Sequence, residues 1–154
     1  MTFARAYAAE KPEEIAIRDP QQALKWADVD DVLNRCANGL QSMDLGPETR
    51  IAVFAENAVE TAMANLGGLI AGASVVPVNF HLTAEEVAYI LTDSDAKVLF
   101  VGPETWERGV EAAAESNVHT VVGWGAPADA PLTHWSDWLA GCDAGEPDQD
   151  VPPR

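Results

Sequence analysis

Apolar residues recur along the chain in two rhythms, and the change from one to the other marks out its elements. From Asp28 to Met43, DVDDVLNRCANGLQSM, the apolar positions Val29, Val32, Leu33, Cys36, Ala37, Leu40 and Met43 are spaced by threes and fours. That spacing predicts a helix with one stripe turned to a core, and the Gly and Pro of LGPETR end it. Ahead of it, a lead-in segment runs to about Pro12. EEIAIRD and ALKW then read as two short strands on either side of a turn at Asp19 to Gln22.

Downstream, short apolar runs alternate with helical spacing. RIAVF (50–54), SVVPV (74–78), AKVLFV (96–101) and NVHTVVG (117–123) are predicted strands. Asn57 and Glu60 are placed to cap the helix that carries Val59, Ala62, Met63, Leu66 and Ile70. Thr83 and Glu86 are placed likewise for LTAEEVAYIL, with Leu82 and Val87 as a hydrophobic staple. Pro103 suits the first turn of a further helix, with Trp106, Val110 and Ala114 facing inward. Four apolar strands separated by helices predict an α/β fold: a doubly wound, mostly parallel sheet with helices on both faces. After Gly123 the alternation fades. One short helix is expected near Trp135 to Leu139, and the acidic, Pro-rich CDAGEPDQDVPPR reads as extended or disordered. The division is therefore an α/β unit over residues 1–123, then a short helix and acidic tail over 124–154.

Composition narrows the function. The 154 residues, 47% hydrophobic, suffice for one domain with a core. The 25 acidic and 9 basic residues give a net charge of -16, which opposes nucleic-acid binding because phosphates need Lys and Arg to neutralise them. The longest strongly apolar stretch, LGGLIAGASVVPV, has 13 residues, too few to cross a bilayer. MTFARAYAAEKPEE lacks the apolar centre of a signal peptide, so a cytoplasmic location is expected.

Candidate chemistry is sparse. GGLIAGA (67–73) precedes a strand instead of following one, so it reads as a helix end with close packing and not as a phosphate cradle. His81, His119 and His134 are scattered without metal-ligand spacing. His119 reads as packed or hydrogen-bonded structure within a strand run, and His134 as part of a small aromatic satellite with Trp124, Trp135 and Trp138. Cys36 lies on an apolar helical stripe, where a thiol is inert, and Cys142 lies in the acidic tail, where negative neighbours disfavour a thiolate. Asp28, Asp30 and Asp31, like Glu85 and Glu86, suit the solvated first turns of helices. No residue is assigned a catalytic, cofactor-binding or metal-binding role.

Three blocks carry a resemblance: ALKWADVDDVLNRCANGL, then LGPETRIAVFAENAVE, then LGGLIAGASVVPVNFHLTAEEVAYILTDSDAKVLFV. In the last, Ala71, Gly72, Ala73, Val76, Pro77, Asn79, Leu82, Glu86, Ser94, Ala96 and Lys97 fall in place. Over Pro12 to Val122 the sequence resembles the N-terminal portion of the AMP-forming acyl-CoA synthetase, or adenylate-forming, superfamily. Trp26 followed by Ala27 departs from that family's aromatic and acidic pair. The resemblance implies the conversion of a carboxylic acid, ATP and coenzyme A, with magnesium, to acyl-CoA, AMP and pyrophosphate through an acyl-adenylate. A fatty acid is the expected substrate, with aryl acids, short-chain acids and amino-acid adenylation as alternatives. The family's Ser/Thr/Gly-rich phosphate loop, its ribose-binding aspartate and its C-terminal lysine fall on no residue here, and VPPR stands about where the strand leading into that loop is expected. ATP, Mg2+ and coenzyme A are accordingly expected in a full-length parent and not on this chain, which alone is expected to be inactive. Its expected partner is the rest of that parent. The alternative is a non-catalytic acidic scaffold that self-associates through exposed apolar surface. A self-contained flavodoxin-like or Rossmann-like nucleotide binder requires a glycine-rich turn after RIAVF, and AENAVE supplies none.

Between the second strand and its helix, PVNFHLTAEE reads as a joint. Asn79 ties the turn by side-chain to backbone bonds, Phe80 closes over the sheet edge, and His81 reads as structural or solvent-facing, with a place near a parent's substrate channel as its alternative.

Overall fold

The computed structural model describes residues 3–46 and 48–148. Its elements are α1 (Phe3–Glu10), β1 (Ile15–Arg18), β2 (Ala23–Lys25), α2 (Trp26–Ser42), β3 (Arg50–Phe54), α3 (Val59–Ile70), β4 (Ser74–Val78), α4 (Ala84–Ser94), β5 (Val98–Val101), α5 (Trp106–Ala114), β6 (Thr120–Gly123), β7 (Thr133–His134) and α6 (Trp135–Ala140). β1 and β2 form a separate antiparallel hairpin, while the main sheet is parallel throughout, in the order β4-β3-β5-β6-β7.

The doubly wound architecture follows from the strand alternation. Ile51, Val53, Val98, Phe100 and Val122 point to one face, where they pack with Leu33 and Cys36 of α2, Val59 and Met63 of α3, and Trp135 and Leu139 of α6. Ala52, Phe54, Leu99 and Val101 point to the other, against Val87 and Leu91 of α4 and Ala112 of α5. β3 and β5 are central and buried on both faces, which is why they read as unbroken apolar runs.

α3 ends at the glycine-rich GGLIAGA as close packing requires. A Cβ on Gly67 would overlap the Cys36 side chain of α2, and one on Gly68 would overlap Ile51. Gly72, at φ 83°, then turns the chain in the left-handed region. The Thr83 cap of α4 is present in full: the Glu86 N–H donates to Thr83 Oγ1 at 3.4 Å and the Thr83 N–H donates to Glu86 Oε2 at 2.9 Å. Leu82 and Val87 both join the α4 and α5 core.

Several expectations are corrected. The lead-in segment contains a helix, α1, packed on α2 through Ala4 and through an Arg5 to Asp30 ion pair at 2.8 Å. Asp30 is therefore no solvated surface acid; its side chain is only 14% exposed. α5 begins at Trp106 and not at Pro103, which sits in the preceding turn. Its inner face is Trp106, Gly109, Ala112 and Ala113, with Ala114 exposed. The helix rolls toward Gly109 because a Cβ there would lie 2.5 Å from Val101 Cγ1, so only glycine lets the two elements approach. Residues 141–148 of the acidic tail are not loose: α2 holds them by hydrogen bonds. Residues 149–154 of that tail lie outside the described residues. Phe3, Ile15, Leu69 and Tyr89 are exposed large hydrophobics. No helix among the described residues is long and apolar enough to cross a membrane.

Candidate functional site

In a parallel sheet ligands are received at the carboxyl ends of the strands, above all where neighbouring strands send their chains to opposite faces. That point lies between β3, followed by α3 on one face, and β5, followed by α5 on the other. A crevice of about 420 Å³ opens there, lined by Asp19, Gln22, Glu56, Glu60, Glu104 and Trp124 among others.

The crevice is built by long-range contacts. α3 begins at Val59, so Asn57 stands one position too early to cap it, and Ala58 at the cap has no side-chain acceptor. The cap comes from the hairpin instead. Asp19 Oδ2 accepts the Val59 N–H at 2.8 Å, while Oδ1 accepts the Gln21 and Gln22 N–H groups at 2.8 Å each. Glu60 accepts from Gln22 Nε2 at 2.6 Å instead of closing a capping box. The Val59 N–H, followed by those of Gln22 and Gln21, holds the Asp19 carboxyl below its ordinary range against the opposing effect of burial.

A depressed folded-state pKa stabilises above the unfolded value and loses that stabilisation as pH falls through the folded one. Asp19 is thus expected to titrate below the roughly 3.9 of a free aspartate, with acid loosening the hairpin from α3. In a carboxyl NMR titration the Asp19 resonance should show the low midpoint, and Asp19→Asn should lower the neutral-pH unfolding midpoint while flattening its fall below pH ~4. An ordinary Asp19 midpoint would remove this role.

On the other side, Thr105 and Arg108 tie the strand ends together. Buried Thr105 donates from Oγ1 to the Phe54 carbonyl at 2.5 Å and accepts the Gly102 N–H at 3.0 Å. Arg108 donates to the carbonyls of Leu82 and of Glu104, the latter at 3.0 Å, with its guanidinium 5.1 Å from the Phe54 ring centroid. Asn79 closes the neighbouring loop, its Oδ1 accepting the His81 N–H at 3.0 Å. Phe80 packs on the α4 and α5 core, while His81 is exposed with its ring 4.0 Å from that of Phe80.

The three histidines are not brought together. His119 is exposed just before β6, at the N-terminal ends of the strands, so it is not packed, but its N–H donates to the Lys97 carbonyl at 2.8 Å, which meets the hydrogen-bonded half of the expectation. His134 ends β7, with Nε2 buried and without a hydrogen-bond partner among the described residues. The tryptophans near it are no satellite, since Trp124, Trp135 and Phe100 belong to the main core and Trp138 packs on it. Cys36 is buried, and burial pushes its thiol well above the usual range. Cys142 is raised as well, chiefly by burial and not by neighbouring acids, with Arg35 opposing. No cluster of three or more His, Cys, Asp or Glu residues able to hold a metal occurs among the described residues.

The donor set decides what this rim can hold. Four carboxylates face the crevice, no lysine or arginine lines it among the described residues, and Asp19 already occupies the helix N-terminus where a phosphate would bind. These residues do not fit a nucleotide's phosphates. Asp19, Thr105 and Arg108 escaped the reading of the sequence, although the Asp-Pro-Gln-Gln turn carries a side-chain-to-backbone turn signal that could have found the first.

Fold and rim together define a doubly wound α/β subdomain with its strand-end loops fixed and, among the described residues, a carboxylate-lined crevice at the strand ends. Residues 4–153 match the family described as AMP-binding enzyme, and the chain belongs to that family. It is 34% identical over 107 residues to a component of the linear gramicidin synthase of Brevibacillus parabrevis, covering 70% of this chain and 2% of that protein. It is 31% identical over 128 residues to the 4-hydroxybenzoate–CoA/benzoate–CoA ligase of Rhodopseudomonas palustris, covering 82% of this chain and 24% of that ligase. The solved structure of a Mycobacterium tuberculosis fatty acyl CoA synthetase superposes with a TM-score of 0.77 at 28% identity, covering 97% of this chain and 29% of that one. The chain therefore spans a quarter or less of the length of these two curated relatives.

Proposed function

We propose that this chain is the N-terminal subdomain of an ATP-dependent, AMP-forming acid–CoA ligase. Residues 1–123 carry most of its α/β unit, which β7 and α6 complete, and the rest of 124–154 is proposed to run on toward a phosphate loop carried elsewhere in the parent. The carrying observation is the family match over residues 4–153. In the reaction proposed for the parent, the acid's carboxylate attacks the α-phosphorus of ATP and expels pyrophosphate. The thiol of coenzyme A then displaces AMP to give the thioester. This chain's share is structural: it supplies the sheet and a rim whose loops are fixed by Asp19, Thr105 and Arg108. The positive charge that adenylyl transfer demands must come from outside an acid-lined crevice.

A fatty acid is the proposed substrate, supported by the likeness to the Mycobacterium tuberculosis fatty acyl CoA synthetase across 97% of the chain. The test is acid-dependent AMP release by the longer protein that carries this segment, with palmitate, benzoate and a mixture of amino acids offered separately, each with and without coenzyme A. Palmitate-dependent release that requires coenzyme A is expected. Preference for benzoate or an amino acid would overturn the substrate, and no release with any acid would overturn the ligase.

A further inference from the structure

The outward face of α2 carries Asn34, Asn38 and Gln41, one and two turns apart, with Arg35 beside them, and all four grip the chain that follows α6. Asn34 Nδ2 donates to the Ala144 carbonyl at 3.2 Å, and Asn38 Nδ2 donates to those of Asp143 and Gly145 at 2.9 Å each. Gln41 Nε2 donates to the Asp148 carbonyl at 3.0 Å, while its Oε1 accepts the Asp148 N–H at 3.3 Å. Arg35, held by Asp31 at 2.8 Å, donates to the Cys142 carbonyl at 2.8 Å and reaches that of Leu139 at 3.4 Å.

The groups that α2 grips in the segment are all main chain, so the side chains of α2 set its register, while Arg5 of α1 adds a 4.0 Å ion pair to the Glu146 carboxylate. The bonds of Asn38 and Gln41 are solvent-exposed, and of residues 141–148 only Pro147 is buried. A segment held by exposed hydrogen bonds and little apolar burial opens at a small fraction of the global cost. We propose that residues 141–148 form a strap that opens and closes on the folded domain as a unit, with Asn38 and Gln41 setting its closed register. This holds whatever reaction the parent catalyses.

The two cysteines give the test. Cys142 lies in the strap, its thiol donating to the Trp138 carbonyl at 3.1 Å and packed against Gly39, where a Cβ would lie 2.6 Å from its sulfur. Cys36 is fully buried in the core beneath α2. An aromatic disulfide reagent, which exchanges with a thiolate and releases a coloured aromatic thiolate, therefore reports strap opening at Cys142 and domain opening at Cys36. With the folded 154-residue chain, Cys142 should react while Cys36 does not. In Asn38→Ala/Gln41→Ala, which removes four exposed hydrogen bonds, Cys142 should react about tenfold faster or more, with Cys36 unchanged. A Cys142 rate unaffected by the double substitution would overturn the proposal. So would acceleration of both thiols together, because strap and domain would then be one cooperative unit. Asn34→Ala, which removes one further tether, should accelerate Cys142 in the same direction, and its failure to do so would count against the grip by α2.

Discussion

Truncating Phe100 to alanine is expected to lower the unfolding free energy by about 3–5 kcal/mol, the range for deleting a large buried aromatic side chain. Phe100 lies on β5, the middle strand of five, with no exposed surface. Its ring meets those of Trp135 and Trp138 edge-on, with centroids 5.9 and 5.6 Å away, so it joins the sheet to α6. The cost comes in two parts: lost transfer of the ring from water, and a cavity that the rigid parallel ladder on both sides cannot collapse to fill. Set against a typical domain stability of about 5–15 kcal/mol, the loss should be plain in the urea midpoint. Tryptophan fluorescence should shift in the native baseline as well, because Trp135 and Trp138 lose their common partner. A loss below about 1 kcal/mol would mean that α6 is not seated on the sheet through this ring.

The second large effect is at the crossing of α2 and α3. Gly67→Val is expected to cost about 3 kcal/mol, the upper end for forcing extra carbon into a packed core. A Cβ on Gly67 would overlap Cys36 Sγ and stand 2.7 Å from Cys36 Cβ, and Cys36 has no exposed surface into which to swing. The helices must separate. Gly67→Ala is a milder form, because alanine recovers about 1 kcal/mol of helix propensity. The overlap itself is testable by a cycle: adding Cys36→Ala, which removes the sulfur, should make Gly67→Ala less costly by about 0.5–1 kcal/mol or more. Strict additivity would show that the two residues do not share the crossing.

Local physics in this sequence was legible and long-range supply was not. The Thr83 and Glu86 cap, the four expected apolar strands and α6 depend on residues within a few positions of one another, and the structure holds all of them. The start of α3 could not be read the same way, because its acceptor, Asp19, is 40 residues away. The helical period of α5 suggested Val110 and Ala114, yet tertiary packing rolled the helix onto Gly109, where the missing side chain brings it against Val101. The tail failed for a similar reason. Its acidic, Pro-rich composition describes a segment with no core of its own, but the partners that order residues 141–148 are amide side chains of α2, buried Asn34 and partly exposed Asn38 and Gln41, about a hundred residues away. Of the candidate site, the sequence offered the acids one by one, and their convergence at the strand ends appeared only once the sheet order was known.

On the reading proposed above, this chain gives an adenylate-forming enzyme its sheet and rim, with no phosphate site among the described residues. That reading is tested most directly by acid-dependent exchange of labelled pyrophosphate into ATP, measured with the purified 154-residue chain, magnesium and palmitate. No exchange above a control without protein is expected, because carboxylates line the crevice and Asp19 fills the N-terminus of α3. Exchange that rises above that control in proportion to the chain's concentration would contradict it.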